Sequence, residues 1–203
     1  MVSSTETSPS LAAIVAAVDT DLSDYRRQTS PEGMVTIVFT DLERSTEMLE
    51  HLGEDRWLEL MLAHSRIIRD CVADHGGEVT ESQGDGYMIT FASASAALTF
   101  SIDLQQALER FNASHPDEPL LVRVGMHTGN IFQSGDDVLG RAVVLAARIT
   151  GRARGGEILV SAACREYTRR VERWTYGEPV DLTLKGLVSA ERVYALEWGA
   201  SAG

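Results

Sequence analysis

Two carboxylates carry most of the chemical information in this chain. Asp41 closes the apolar run Met34-Val-Thr-Ile-Val-Phe-Thr, and Asp85 stands at the centre of Gly84-Asp85-Gly86. Each follows a β-like segment, so the two side chains can meet at neighbouring strand ends and hold a hard divalent cation through oxygen ligands. That arrangement points to phosphate chemistry. Each residue also has a plainer reading. An aspartate ahead of a helix commonly serves as a cap, and Gly-Asp-Gly suits any tight hairpin.

The segment Phe39-Thr-Asp-Leu-Glu-Arg-Ser-Thr46 joins a strand to a helix start. Backbone N–H groups at such a junction favour anions, and Asp41 can bring a cation to the same corner, so a phosphate and its metal can share it. Thr46 is the candidate substrate contact from this segment.

The elements that must position these groups alternate along the chain. Residues 1–33 read as a separable arm: a polar, turn-rich start, then a helix that Ser10 can cap, running through Leu11–Val18 towards Arg27, and a break at Thr29–Gly33. The arm is either a tail packed on the domain or a regulatory segment. From residue 34 a single domain follows. It begins with a strand (34–40), a short helix (about 43–51) and a longer helix (54–75) in which Leu58, Met61, Leu62, Ile67, Ile68 and Cys71 lie near helical spacing. Strands 78–83 and 87–91 form a hairpin around Asp85, and a helix covers about 93–112. Next come a strand (120–131), a helix (139–150), a short strand (157–160), a helix (161–167) and a strand-rich tail from Tyr176 to Trp198. The expected fold is α+β: a ferredoxin-like βαββαβ core with additional strands, a mixed sheet with helices packed on one face.

Composition narrows the function. With 203 residues, 44% of them hydrophobic, the chain has enough material for a sizeable core. A net charge of −12 opposes broad contact with a nucleic-acid polymer, which depends on displacing counterions from phosphates. Cys71 and Cys164 make no disulfide framework or zinc spacing, which fits free thiols in the cytoplasm. Leu11–Val18 is too short to span a bilayer, which needs ~20 residues, and it lacks the basic leader of a signal peptide.

Taken in order, five segments resemble the catalytic domain of class III adenylyl/guanylyl cyclases, over roughly residues 34–196. Phe39–Thr46 resembles the first metal-aspartate motif and Ser82-Gln-Gly-Asp-Gly-Tyr-Met88 the second. Val124-Gly-Met-His-Thr-Gly129 is similar to the strand-to-turn segment that follows. Gly140-Arg-Ala-Val-Val-Leu-Ala-Ala-Arg148 is similar to the helix carrying a transition-state arginine, and Leu184-Lys-Gly186 to the late lysine-glycine element.

The resemblance implies two Mg2+ or Mn2+ ions per active site on Asp41 and Asp85, with Arg148 as the catalytic arginine at the α-phosphate and Lys185 at the distal phosphates. It also implies a homodimer whose shared sites convert ATP or GTP to the 3′,5′-cyclic monophosphate and pyrophosphate. Two positions depart from the usual pattern. Glu81, at the base-reading position, is the guanylyl-type choice, whereas Asp137, at its partner position, is the adenylyl-type one. Val144 stands where an asparagine usually orients the ribose. The expected function is therefore an adenylate cyclase-type enzyme with GTP acceptance through Glu81. Rival readings are a guanylate cyclase, a catalytically weakened nucleotide-binding or dimerisation module, and a metal-dependent phosphodiesterase or nucleotidyl transferase. His127 reads as a core histidine, the three tryptophans as packing or dimer contacts, and the arginines between 152 and 173 as a solvated face.

Overall fold

β1 (Met34–Leu42) is the spine of the molecule, and every residue in it is buried. A computed structural model of the protein describes residues 8–17, 30, 33–130, 138–171, 173–183 and 190–199. Because β1 pairs on both sides and is covered on both faces, it reads as an unbroken apolar run with few polar residues. After it come α2 (Ser45–Leu52), α3 (Glu54–Asp74), β2 (Glu78–Gln83), β3 (Gly86–Phe91), α4 (Ala94–Ser114), β4 (Val122–Asn130), α5 (Val138–Thr150), β5 (Ile158–Ser161), α6 (Ala162–Thr168), β6 (Val180–Leu182) and β7 (Glu191–Ala195). α1 (Pro9–Ala17) precedes it. The sheet order is β2-β3-β1-β4-β5-β7-β6. Only β4 and β5 pair in parallel among these neighbours, so the first four strands make the expected ferredoxin-like core and the last three extend it. Element limits lie within a few residues of those expected.

Strand alternation sends β1 side chains to two different cores. Val38 and Leu42 join the larger core with α3, α4 and the inner residues of β3 and β4, including Ile68, Ile89, Leu98, Leu104 and Met126. Val35, Ile37 and Phe39 face the other way, against Met88, the Ala142, Val143, Ala146 and Ala147 stripe of α5, and Leu11 and Ile14 of α1. Helices therefore cover both faces of the sheet, which corrects the one-face arrangement. α5 approaches closely because Gly125 has no side chain: a Cβ there would sit 2.3 Å from the backbone nitrogen of Thr150.

Two further expectations change. α1 is capped by Ser8, whose Oγ accepts from the N–H of Leu11 at 3.2 Å, and Ser10 lies inside the first turn. Pro9 explains the shift, since its fixed φ and missing N–H suit the first helical position. The helix is described only to Ala17; its continuation towards Arg27 falls outside the described residues. On α3 the buried positions are Leu60, His64, Ile68 and Val72, a strict i, i+4 row. Leu58 and Leu62, about 60% exposed, point to solvent. His64 took a place that apolar residues alone were expected to fill.

No helix among the described residues is long and apolar enough to cross a membrane. The three tryptophans pack at the edge of the larger core, and Arg165 in the basic stretch stacks on Tyr194 at 4.1 Å. His127 sits against Ser161 at 3.1 Å, as expected of a satisfied core histidine.

His64 is 1% exposed, its Nε2 has no hydrogen-bond partner, and its ring meets Tyr87 edge-on. Burial holds its pKa down at about 4 from an ordinary 6.5, with the charge of Asp85 pulling weakly the other way. Below pH 6.5 the unfolded chain therefore takes up a proton that the native state refuses. The His64 contribution is full above that pH and declines as pH falls towards about 4. Urea midpoints measured across this window should fall, and His64→Leu should flatten the decline. An unchanged slope in His64→Leu would assign the acid sensitivity elsewhere.

Candidate active site

The register of β1 places the first aspartate. Asp41 pairs directly with Arg123 of β4, so both side chains rise from the same face of the sheet, the face under α1 and α5. Asp41 is wholly buried. Its Oδ2 accepts from Nε of Arg123 at 2.8 Å and from Nη2 at 2.5 Å. Its Oδ1 accepts from the Ser8 hydroxyl at 2.7 Å.

The second aspartate comes from the neighbouring hairpin. Thr40 pairs with Tyr87 of β3, so Asp41, one residue further along, lies beside Gly86, the neighbour of Asp85. Asp85 is 5% exposed, and its Oδ1 accepts from the Ser10 hydroxyl at 2.5 Å. The pKa of Asp41 is raised, chiefly by burial. Arg123 opposes that rise, the charge of Asp85 adds to it, and the Ser8 hydrogen bond opposes it again.

Glu81 reaches the same face through the register of the hairpin. From the turn onwards Gln83 pairs with Gly86, Ser82 with Tyr87 and Glu81 with Met88, a regular ladder that sets Glu81 on the side of Met88, Phe39 and the aspartates. The register slips only beyond it, where Val79 pairs with Ile89, so the β-bulge at Thr80 returns Val79 to the larger core.

Of the other candidates, Val144, Arg148 and Thr46 make no hydrogen bond or ion pair with the two aspartates. Val144 and Arg148 lie one helical turn apart on α5, as expected, but on neither of its apolar flanks. Ala142, Val143, Ala146 and Ala147 face the sheet, and Leu145 and Ile149 pack with Leu159 and Val193. Both are partly buried, and Arg148 makes no hydrogen bond or ion pair with a described residue. Thr46 is exposed on α2. The turn before it holds Arg44 in the left-handed region (φ 61°), with its guanidinium on Glu47. Asp137 and Lys185 lie outside the described residues.

Arg123 and Ser8 escaped the sequence reading, and Ser10 entered it only as a helix cap. Arg123 alternates with the core residues Val122, Val124 and Met126, so its direction was legible, but its partner required the β1–β4 register. For the serines the only signal was Leu11 and Ile14, one turn apart behind them.

Among the described residues no group of three or more His, Cys, Asp or Glu forms a metal cage. The two aspartates supply hard oxygen donors at one place, which fits small divalent cations that take most of their remaining ligands from water and substrate phosphates.

Known proteins share this fold. Residues 28–197 match the family model of the adenylate and guanylate cyclase catalytic domain, and the chain belongs to that family. Relatives include an adenylate cyclase of Lachancea kluyveri, 30% identical over 166 residues, covering 68% of this chain and 9% of that protein. The chain spans less than half the length of the curated relatives it matches. Among solved structures, the adenylyl cyclase CyaB from P. aeruginosa superposes with a TM-score of 0.72 at 21% identity, covering 83% of this chain and 95% of that one. The guanylyl cyclase Cya2 also gives 0.72, at 22% identity, covering 83% and 94%.

The Arg123–Asp41 pair makes a direct prediction. Removing one partner of a buried ion pair strands the other, so Arg123→Ala should lose about 3 kcal/mol of stability. Adding Asp41→Asn should recover much of that loss. Urea denaturation checks both; a loss no larger than that of a typical surface substitution would show that Asp41 is compensated without Arg123.

Proposed function

We propose that this chain is an adenylate cyclase-type nucleotidyl cyclase that turns a nucleoside triphosphate into its 3′,5′-cyclic monophosphate and pyrophosphate, with GTP accepted through Glu81. The observation that carries this reading is the meeting of Asp41 and Asp85 at the end of β1, on the face that also receives Glu81. Mg2+ or Mn2+, two per site and held by the two aspartates, would lower the pKa of the ribose 3′-hydroxyl and neutralise triphosphate charge.

The residues of the chain then divide the work. Glu81 accepts from the N1–H and N2–H₂ edge of guanine, while adenine offers N1 an acceptor that only a donor can meet. Asp137 is the adenylyl-type partner that accepts from the adenine N6 amine. Arg148 presents a planar fork to the α-phosphate oxygens, where charge grows as the 3′-oxygen attacks in line. Lys185 is assigned to the distal phosphates and Thr46 to the phosphate side of the corner. Val144 cannot hydrogen-bond the ribose, so orientation falls to shape alone and turnover is modest.

Arg148 makes no hydrogen bond or ion pair with the aspartates of its own chain, which supports a head-to-tail homodimer in which each site takes its aspartates from one subunit and its arginine from the other. Cys71 and Cys164, both free, support a cytoplasmic setting. A guanylate cyclase is the second reading, favoured by the hairpin register that sets Glu81 on the face of the two aspartates.

Product analysis with ATP and GTP, each with magnesium and manganese, tests the reaction. A linear or hydrolysed product would replace the cyclase reading with a transferase or phosphodiesterase. Glu81→Lys should shift the ATP-to-GTP ratio of kcat/KM towards ATP by about 1–3 kcal/mol. A ratio that stays put would remove residue 81 from base reading.

Sharing of the site has its own check. Asp41→Ala and Arg148→Ala chains should each be inactive and should regain activity when mixed, because one site of the heterodimer keeps both groups. Background activity despite demonstrated subunit exchange would place the whole site within one chain.

A further inference from the structure

We propose that α1 is an internal plug of the metal site: the serine hydroxyls of its first turn hold the carboxylate oxygens that cations would take, and the helix must leave before the site can load. The proposal rests on the reading of Asp41 and Asp85 as metal ligands and adds how access to them is controlled.

Each aspartate is occupied from the same helix. Ser8 donates to Oδ1 of Asp41 and Ser10 to Oδ1 of Asp85, while Arg123 holds Oδ2 of Asp41. A hydroxyl proton and a cation cannot share one lone-pair direction, so these contacts and metal coordination compete. The plug also substitutes for part of the missing charge. The N-terminus of α1, the positive end of its dipole, lies on the two carboxylates. The Ser8 hydroxyl has two tasks, accepting from Leu11 N–H while donating to Asp41, so the atom that starts the helix is the atom that blocks the ligand.

The anchor behind the plug is small. Leu11 and Ile14 are 0% and 1% exposed, seated on Phe39, Met88 and the alanine stripe of α5. A Cβ at Gly86, next to Asp85, would meet Ser10 Cβ and Ile14 Cδ1, each at 3.1 Å. Ser8 caps one helix whose first two turns carry Ser10, Leu11 and Ile14. Release is therefore one event in which both hydroxyls and both apolar side chains leave together. Coupling is reciprocal: cations loosen α1, and any binder of α1 raises cation affinity by the same factor.

The experiment is a Mn2+ titration without nucleotide, followed by the electron paramagnetic resonance of free Mn2+, on the full chain. It compares wild type, Ile14→Asp, Ser8→Ala with Ser10→Ala, and Asp41→Asn with Asp85→Asn. Hydrogen exchange of the Leu11–Ala16 amides is followed in parallel. Ile14→Asp should bind Mn2+ about tenfold more tightly or better, because apparent affinity scales with the fraction of chains whose site is open. The double serine variant should tighten binding less, and Mn2+ should speed exchange of the α1 amides in wild type but not in the double asparagine variant.

Equal affinities in wild type and Ile14→Asp, both lost on Asp→Asn, with α1 still protected at saturating Mn2+, would overturn the plug and leave the metal site standing. Mn2+ binding that is absent throughout, or indifferent to Asp→Asn, would overturn the metal reading itself and the plug with it. If Ile14→Asp does not fold, the serine variant and the exchange measurement decide alone, since neither alters the core.

Discussion

A carboxylate without access to water has to be compensated, and the compensation of Asp41 organises this molecule. Asp41 ends a strand buried on both faces, so no water reaches it from the core side, and its neighbour Asp85 adds a second negative charge. The fold answers with a guanidinium across one strand pair and hydroxyls from a helix that precedes the sheet. Position 123 must be cationic in the β1–β4 register, and α1 must bring its hydroxyls to the end of β1. Each of these is a consequence of keeping two acids in one dry corner.

The larger core and the site differ in how they respond to that demand. Val38, Leu42 and their partners under α3 and α4 would pack equally well with no aspartate nearby. On the other face, small residues of α5 and two side chains of α1 cover β1 thinly. The face that holds the two aspartates is therefore the less heavily packed one, and local opening should cost less there than in the larger core.

Much of this was legible in the residues themselves. The apolar run before Asp41, the glycines around Asp85 and the alternation of helical and strand periods located nearly every element and both carboxylates. What failed did so for identifiable reasons. Leu58 and Leu62 fit a helical stripe, yet the core chose Leu60 and His64, because periodicity defines a stripe without saying where its centre lies. Pro9 moved the helix cap from Ser10 to Ser8. Arg123 depends on strand register and Ser8 on contact across 33 positions, and neither is encoded in local pattern. Motif order placed Asp41 and Arg148 on their strand and helix, but could not show that Asp41 is paired with Arg123 instead.

The bulge in β2 makes the length of that strand forgiving. Thr80 is the extra residue between two stretches of ladder, with Glu81 opposite Met88 on the turn side and Val79 opposite Ile89 beyond it. Deleting Thr80 would set Val79 next to Glu81 in a regular alternation, with both partners and both faces unchanged. In the course of evolution the strand could therefore shorten there by one residue without turning Glu81 over. A deletion between Glu81 and the hairpin turn would instead move Glu81 from Met88 to Tyr87, and so to the opposite face of the sheet.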